Sequence, residues 1–538
     1  MDNFNYYVAG RRAYFFGGID GNAENIGWHL KGKMGGFWLD NYRLFSSYSL
    51  SLNGKRVSPT GFQNKVSERI VNYPGADLRI LAHPERQLIS IRIESRAKIE
   101  FCLRQEMDLV WLEDRPSGNI SLKVENQDRD TIVWCELERM SSFVKVNGKA
   151  TSEGDWLKLS KRGTLEAVIA LGRPGKEGYK QYLLDREEYN RRYLPPFQDS
   201  IPFWARAGAL ELFFERDVGC GFVAGLGEFP WWFGIDGVYT CLGLLETPML
   251  ELVGKTIDNL AKFGNGLAPH EVTTAGRIYA YGRMNEIIAF AYLALKYAVK
   301  TSKKEYLELV DNALSHVSGH LSRKLYPQGE GIVEVPISGE FALLDSACWL
   351  YSMLKELRDS NMMKDLKNSQ FAAWLLEKYD REFLKDWYGK DGLFYDALTE
   401  KSANFEGHFI QIYPLSMGLI RREIGERLLA KMEKIGYFKE PGLIHSLPLK
   451  TFEAGDYGEG DKNDIVWSLP TLLAIEAGIR YGKPDLSEKF ILSLQNSLKS
   501  EMYGALPEIL PAGGCTIQAW NAYAIASIEH INSPSPAC

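Results

Sequence analysis

The sequence predicts a multidomain chain in which an N-terminal antiparallel β-sandwich precedes an all-helical half. Three observations predict it. Apolar residues alternate with period two up to about residue 173, they recur with helical spacing from about residue 204, and a Gly- and Pro-punctuated connector lies between. At 538 residues the chain is also longer than one ordinary core accommodates.

Strands come first. In Leu88-Ile89-Ser90-Ile91-Arg92-Ile93-Glu94, the isoleucines face one side while Ser90, Arg92 and Glu94 face the other. Further runs are Ile99–Val110, Thr131–Leu137, Trp156–Leu159 and Thr164–Ala170. Asn53-Gly54, Pro116-Ser117-Gly118-Asn119, Asn147-Gly148 and Arg162-Gly163 read as the turns that separate short strands. Gly172, Pro174 and Gly175 close the sheet, Tyr179–Arg192 is polar and helix-permissive, and Pro195-Pro196 ends it. The expected division is therefore 1–173, a helical linker at 174–203, and 204–538. In Pro248–Phe263, Met249, Leu250, Val253, Ile257, Leu260 and Phe263 form one stripe. Helices are expected at Asn285–Lys300, Lys304–Leu325, Phe341–Ser360, Asp365–Tyr379, Leu415–Ile435, Val466–Tyr481, Leu486–Leu498 and Thr516–Ile531. Such a series suits a bundle, a solenoid or a closed ring of helical hairpins. No repeat of fixed length is present, which weakens the solenoid.

Composition narrows the function classes. A formal charge of −6 without blocks of like charge argues against a nucleic-acid partner. No run approaches a membrane span, and Met1-Asp2-Asn3-Phe4-Asn5-Tyr6 lacks a signal-peptide pattern. Seven scattered cysteines without a CxxC read as reduced thiols, so a cytoplasmic protein is expected. Phosphate-cradling glycine motifs and a GxSxG elbow are absent, and His316 and His320 share a plain amphipathic helix without the HExxH glutamate. No cofactor or metal is expected. Aromatic residues make up 12% of the chain, which suits stacking on the apolar faces of sugar rings and equally suits a large β-rich core.

Two acids stand out. Phe229-Pro230-Trp231-Trp232-Phe233-Gly234-Ile235-Asp236-Gly237 carries Asp236 in an aromatic loop before a helix, and Leu506-Pro507-Glu508-Ile509 carries Glu508 shortly before Gln518-Ala519-Trp520-Asn521. Hydrolysis of a glycosidic bond by single displacement needs one carboxyl to protonate the leaving oxygen and another to activate water. The acid must keep its proton at working pH, and apolar surroundings such as Trp231, Trp232 and Phe233 favour that. Asp236 also reads as an N-cap of a helix starting near Val238, and Glu508 as an ordinary loop acid.

These loops, Gly221–Glu271 and Gly504–Asn521, resemble the amylo-α-1,6-glucosidase half of glycogen debranching enzymes, and more broadly the inverting glycosidases built on an (α/α)6 toroid. The resemblance extends, in order, to Gly266-Leu267-Ala268-Pro269-His270-Glu271, Asn285, His408, Gln411, Tyr413-Pro414-Leu415 and Val466-Trp467-Ser468. It implies an (α/α)6 toroid after the sandwich, with Asp236 as general acid and Glu508 as general base. Ile235 and Gly237 depart from the family's Arg and Thr/Ser around the acid, and Asn521 replaces its common Ser. The chain also has no room for a glucanotransferase domain.

The expected activity is therefore release of glucose from an oligosaccharide or polysaccharide α-glucoside, by α-1,6 branch-stub removal or by glucoamylase- or trehalase-like hydrolysis. Trp231, Trp232, His270, Glu271, Asn285, His408, Trp467, Gln518 and Trp520 are expected to line the sugar site, with Glu406 and Asp464 on further inter-helix loops and Glu459 as reserve base. Competing readings are a sugar epimerase or isomerase working through histidines, which only eight His disfavour, and a non-catalytic carbohydrate-binding protein, which Ile235 favours.

Overall fold

The computed structural model describes residues 4–24, 26–27, 29–114, 121–127, 130–137, 140–333, 341–447 and 465–529. Among the described residues, the N-terminal part forms a 14-stranded antiparallel sheet. Along its main path Asn5–Ala9, Ala13–Gly18, Gly36–Leu39, Tyr42–Leu52, Leu88–Leu109, Trp156–Ala170, Met140–Val146, Asp130–Leu137 and Ser121–Gln127 lie side by side. One apolar core gathers inward residues from both ends of this path, including Tyr6, Phe15, Phe37, Ile91, Val133 and Val144. Where the sequence suggests separate short strands, the structure has long ones. The runs at 88–94 and 99–110 merge into one strand because Ser95-Arg96-Ala97-Lys98 offers no chain reversal. Opposite them, Arg162-Gly163 is a bulge inside Trp156–Ala170 rather than a turn, and Gly163 takes the positive φ (86°) that it requires.

Helices α1 (Tyr179–Tyr193) and α2 (Ile201–Glu211) follow the sheet, α2 starting at a Ser200 cap whose side chain accepts from the Phe203 N–H. The rest of the chain contributes α3 (Gly234–Leu244), α4 (Leu250–Phe263), α5 (Met284–Thr301), α6 (Leu307–Ser318), α7 (Leu344–Asp359), α8 (Ser369–Trp387), α9 (Tyr413–Ser416), α10 (Arg422–Ile435), α11 (Ser468–Arg480), α12 (Pro484–Ser497) and α13 (Tyr523–Glu529). Contacts run α3 to α5, α5 to α7, α7 to α9, α9 to α11, α11 to α13, and α13 back to α3, which closes a cycle of six helices. Helices α2, α4, α6, α8 and α12 pack against members of that cycle. Their sequences explain the difference. In α5, nearly every residue from Met284 to Ala298 is buried, whereas α6 buries Leu307, Val310, Asp311, Ala313, Leu314 and Val317, a single stripe of an amphipathic helix.

The two parts are joined through buried surface. Leu212, Phe214, Val223, Leu226, Trp232, Val272, Met502, Ala505 and Ile517 from the helical part enter the sheet's core. Glu211 of α2 pairs with Arg69 of the sheet (2.5 Å) and Arg186 of α1 (3.0 Å), all three side chains being buried.

Candidate active site

The six-helix cycle has a fringe of short strands at its helix entries. Gly225–Leu226 pairs with Ile517–Gln518, Trp232–Phe233 with Pro269–Val272, and Phe341–Leu343 with Ala397–Thr399. Trp467 bridges to Ile509 and Ile444 to Val466. These pairings bring together loops distant in sequence.

Asp236 lies in the first turn of α3. The helix begins at Gly234 with Phe233 at its cap, two residues before Asp236, so the N-cap reading of this acid does not hold. Its carboxyl is buried and accepts a 2.6 Å hydrogen bond at Oδ1 from Gln518 Nε2. Burial, then the nearby charges of Glu508 and Glu286, push Asp236 up to about 7 from an ordinary 3.8. Glu286 stands in the first turn of α5 beside Asn285, accepting from the Arg283 N–H (2.8 Å) and lying 2.8 Å from His270 Nδ1. Phe233 packs edge-on against the His270 ring at 5.5 Å.

Glu508 is 1% exposed, and its loop is over-determined. The Glu508 N–H donates to Cys515 O, its Oε2 accepts from the Cys515 N–H, and its carbonyl accepts from the Ser468 N–H at the start of α11, all at 2.9–3.0 Å. Asn521 Nδ2 donates to the carbonyls of Leu506 (2.9 Å) and Pro507 (3.0 Å). Gly514 has φ of 64° and lies so close that a Cβ there would stand 2.4 Å from Glu508 Oε2.

The other expected residues divide by surroundings. Trp231 donates to Glu271 Oε1 at 2.6 Å. Trp232 stacks on Phe263, bonds to Gly221 O and belongs to the core shared with the sheet. Trp467 packs against Phe409, His445 and Trp520, while Trp520 Nε1 donates to Ser468 Oγ at 2.8 Å. His408 Nδ1 and His445 Nδ1 lie 3.0 and 2.7 Å from Ser446 Oγ, and burial lowers them to about 3 and about 4, so both are neutral at pH 7. The Glu406 N–H donates to Asp396. Glu459 and Asp464 lie outside the described residues. Ile235 packs into the helical core. His316 and His320 stack at 4.4 Å, and no group of three or more potential metal ligands occurs among the described residues.

Sequence reasoning missed Glu286, Asp345 and Asp396. Asp345, in the first turn of α7, is held near 6 by burial despite accepting from the Ile332 N–H. Asp396 is raised to about 7 by burial and accepts from the backbone of Glu406, Gly407 and His408. An acid inside an apolar helix entry, as in Phe341-Ala342-Leu343-Leu344-Asp345, is the one signal that could have marked Asp345.

Among the described residues, no helix is long and apolar enough to cross a membrane. No protein-family model and no curated protein matches the sequence. Among solved structures, a glycosidase carrying a point substitution covers 61% of this chain at 12% identity, with a TM-score of only 0.45. A bacterial glucoamylase complexed with acarbose matches over 98% of this chain and 95% of its own, with a TM-score of 0.66 and 11% identity. At that identity the likeness is one of architecture: from the N-terminal sheet through the helices, the chain shares the fold of a bacterial glucoamylase.

Proposed function

We propose that this chain is an inverting glycoside hydrolase releasing glucose from oligosaccharide or polysaccharide α-glucosides, with its helical part, from about residue 204, arranged as an (α/α)6 toroid. The closed cycle of six helices and the glucoamylase-like fold support the toroid. The observation that carries the chemistry is Asp236. Its carboxyl is buried, bonded to Gln518 and held near 7 by burial and by Glu508, so it can retain a proton at neutral pH beside a second acid that is itself buried. In this reading Asp236 protonates the glycosidic oxygen, and Glu508, aimed by the Cys515 N–H, takes a proton from water attacking the opposite face of the ring. His270, Glu271, Trp231 and Asn285, on the loops around Asp236, and Trp467, Trp520 and His408, around the α11 entry, are the groups available to bind hydroxyls and ring faces. Branch-stub removal and glucoamylase- or trehalase-like cleavage are the linkages to be compared.

The test is substitution with retained shape. Asp236→Asn and Glu508→Gln should each lower kcat by at least roughly 10³-fold, toward the larger effects known for essential acid–base groups, with the circular-dichroism spectrum unchanged. Near-normal turnover by Glu508→Gln would remove Glu508 from the role of base.

A further inference from the structure

A run of aromatic rings leads outward from the loop of Asp236, and two of its six members, His29 and Trp111, come from the N-terminal part. Phe233, three residues before the acid, meets Phe229 at 5.4 Å between ring centroids. Phe229 meets His29 at 5.2 Å, and His29 meets Trp111 at 6.3 Å. Trp111 lies against Trp231 of the acid loop at 5.0 Å and against Tyr279 at 4.7 Å. Phe229, Trp231 and Cys515 form a small apolar cluster with Met34, so the loops of both acids and the N-terminal part share one wall. Polar links hold the pieces in place. Arg277 Nη1 donates to Leu112 O at 2.9 Å, Asn41 Nδ2 to Thr274 O at 3.1 Å, and the His29 N–H to Glu228 Oε2 at 3.1 Å. At the outer end the hairpin formed by Pro269–Val272 and Ile278–Tyr281 leaves Tyr279 57% and Tyr281 72% exposed, with Trp111 half-buried beneath. Tyr279 is held at the surface here by its contact with Trp111, Tyr281 follows it on the same exposed strand, and the run of rings begins on the loop that carries the acid.

We propose that Trp111, Tyr279 and Tyr281 form a platform for sugar units beyond the scissile bond, so that the preferred substrate is a gluco-oligosaccharide of several units rather than a disaccharide. The proposal rests on the hydrolase reading above. Its direction follows from the chemistry. The general acid gives its proton to the leaving-group oxygen, so the leaving sugars lie on the side of Asp236, and the aromatic path begins on that residue's own loop. Sugar rings present flat C–H faces that pack on exposed aromatic planes, and a ring already immobilised against another, as Tyr279 is against Trp111, loses little freedom on binding. The N-terminal part thereby acquires a role in substrate selection through Trp111, two residues beyond the strand Leu88–Leu109.

The experiment compares kcat/KM on α-linked gluco-oligosaccharides of two to six units for the wild type, Trp111→Ala, Trp111→Phe and the double variant Tyr279→Ala/Tyr281→Ala. The wild type should gain at least about tenfold in kcat/KM between two and five units. Trp111→Ala and the tyrosine double variant should each cut that gain severalfold or more, mainly through KM, and Trp111→Phe should keep most of it. The exposed tyrosines decide the matter if Trp111→Ala fails to fold. Hydrolysis by the wild type with no dependence on length, or a gain that all variants retain, overturns the platform while leaving the hydrolase reading intact. Absence of hydrolysis on every linkage and length overturns both.

Discussion

Asp236 and Glu508 differ in how they are held, and the difference sets what each can do. Asp236 is raised to about 7 by burial and then by Glu508, so its protonated form persists up to neutrality and is lost as pH rises through that value. If it is the general acid, kcat/KM falls above about pH 7, by close to tenfold per pH unit, and a pH–rate profile on a neutral oligosaccharide measures it. Glu508 is aimed by backbone, and its carboxylate is contacted across a gap that only Gly514 leaves open. Gly514→Ala places a methyl group on Glu508 Oε2 and forces a left-handed φ on alanine. The expected cost in stability is about 1–2 kcal/mol, read from denaturant titration. Displacement of the carboxylate should lower kcat by about 10²-fold. Both acids were legible because each follows Pro and aromatic or Gly punctuation in a loop that enters a helix. Glu286 was not, since its relation to Asp236 arises only when the entry of α5 comes to lie beside that of α3.

Among the elements, the short strands at the helix entries position the site more than the helices themselves. The 506–508 segment is gripped from three sides, by Cys515, by Ser468 and by Asn521, which follows the strand Ile517–Gln518. Asn521, which departs from the Ser common in the family these loops resemble, supplies two hydrogen bonds to the carbonyls just before Glu508. Asn521→Ala should therefore cost about 1–3 kcal/mol and lower kcat by roughly ten- to a hundredfold through a displaced Glu508. Chemical denaturation and steady-state kinetics check the two numbers, and Asn521→Asp, which keeps the shape and loses the donor, should behave alike. Helical periodicity was readable because outer helices such as α4 and α6 carry single apolar stripes; the fringe strands, two to four residues long, are too short to leave an alternation. Their pairing is set by closure of the helical cycle, which no local pattern records. The 22-residue strand Leu88–Leu109 was read as two for the converse reason: Ser95–Lys98 interrupts the apolar pattern without turning the chain.

At the scale of the whole molecule, the helical part and the sheet share a core, and Glu211 with Arg69 and Arg186 ties α1, α2 and the sheet together without exposure to water. Removing Glu211 leaves two buried guanidinium groups without their carboxylate. Glu211→Ala should destabilise the chain by about 3–5 kcal/mol, seen as a lowered unfolding midpoint. The halves were visible in the change of hydrophobic period near residues 173–204, whereas their joint core was not, because Trp232, Leu226 and Ile517 look like ordinary helical-part residues until the sheet is placed against them. The central claim, that Asp236 and Glu508 hydrolyse an α-glucoside by single displacement, is tested most directly by following the anomeric protons of released glucose by NMR during the first minutes of reaction. The account predicts β-glucose first, with α-glucose growing in by mutarotation. First appearance of α-glucose would contradict it.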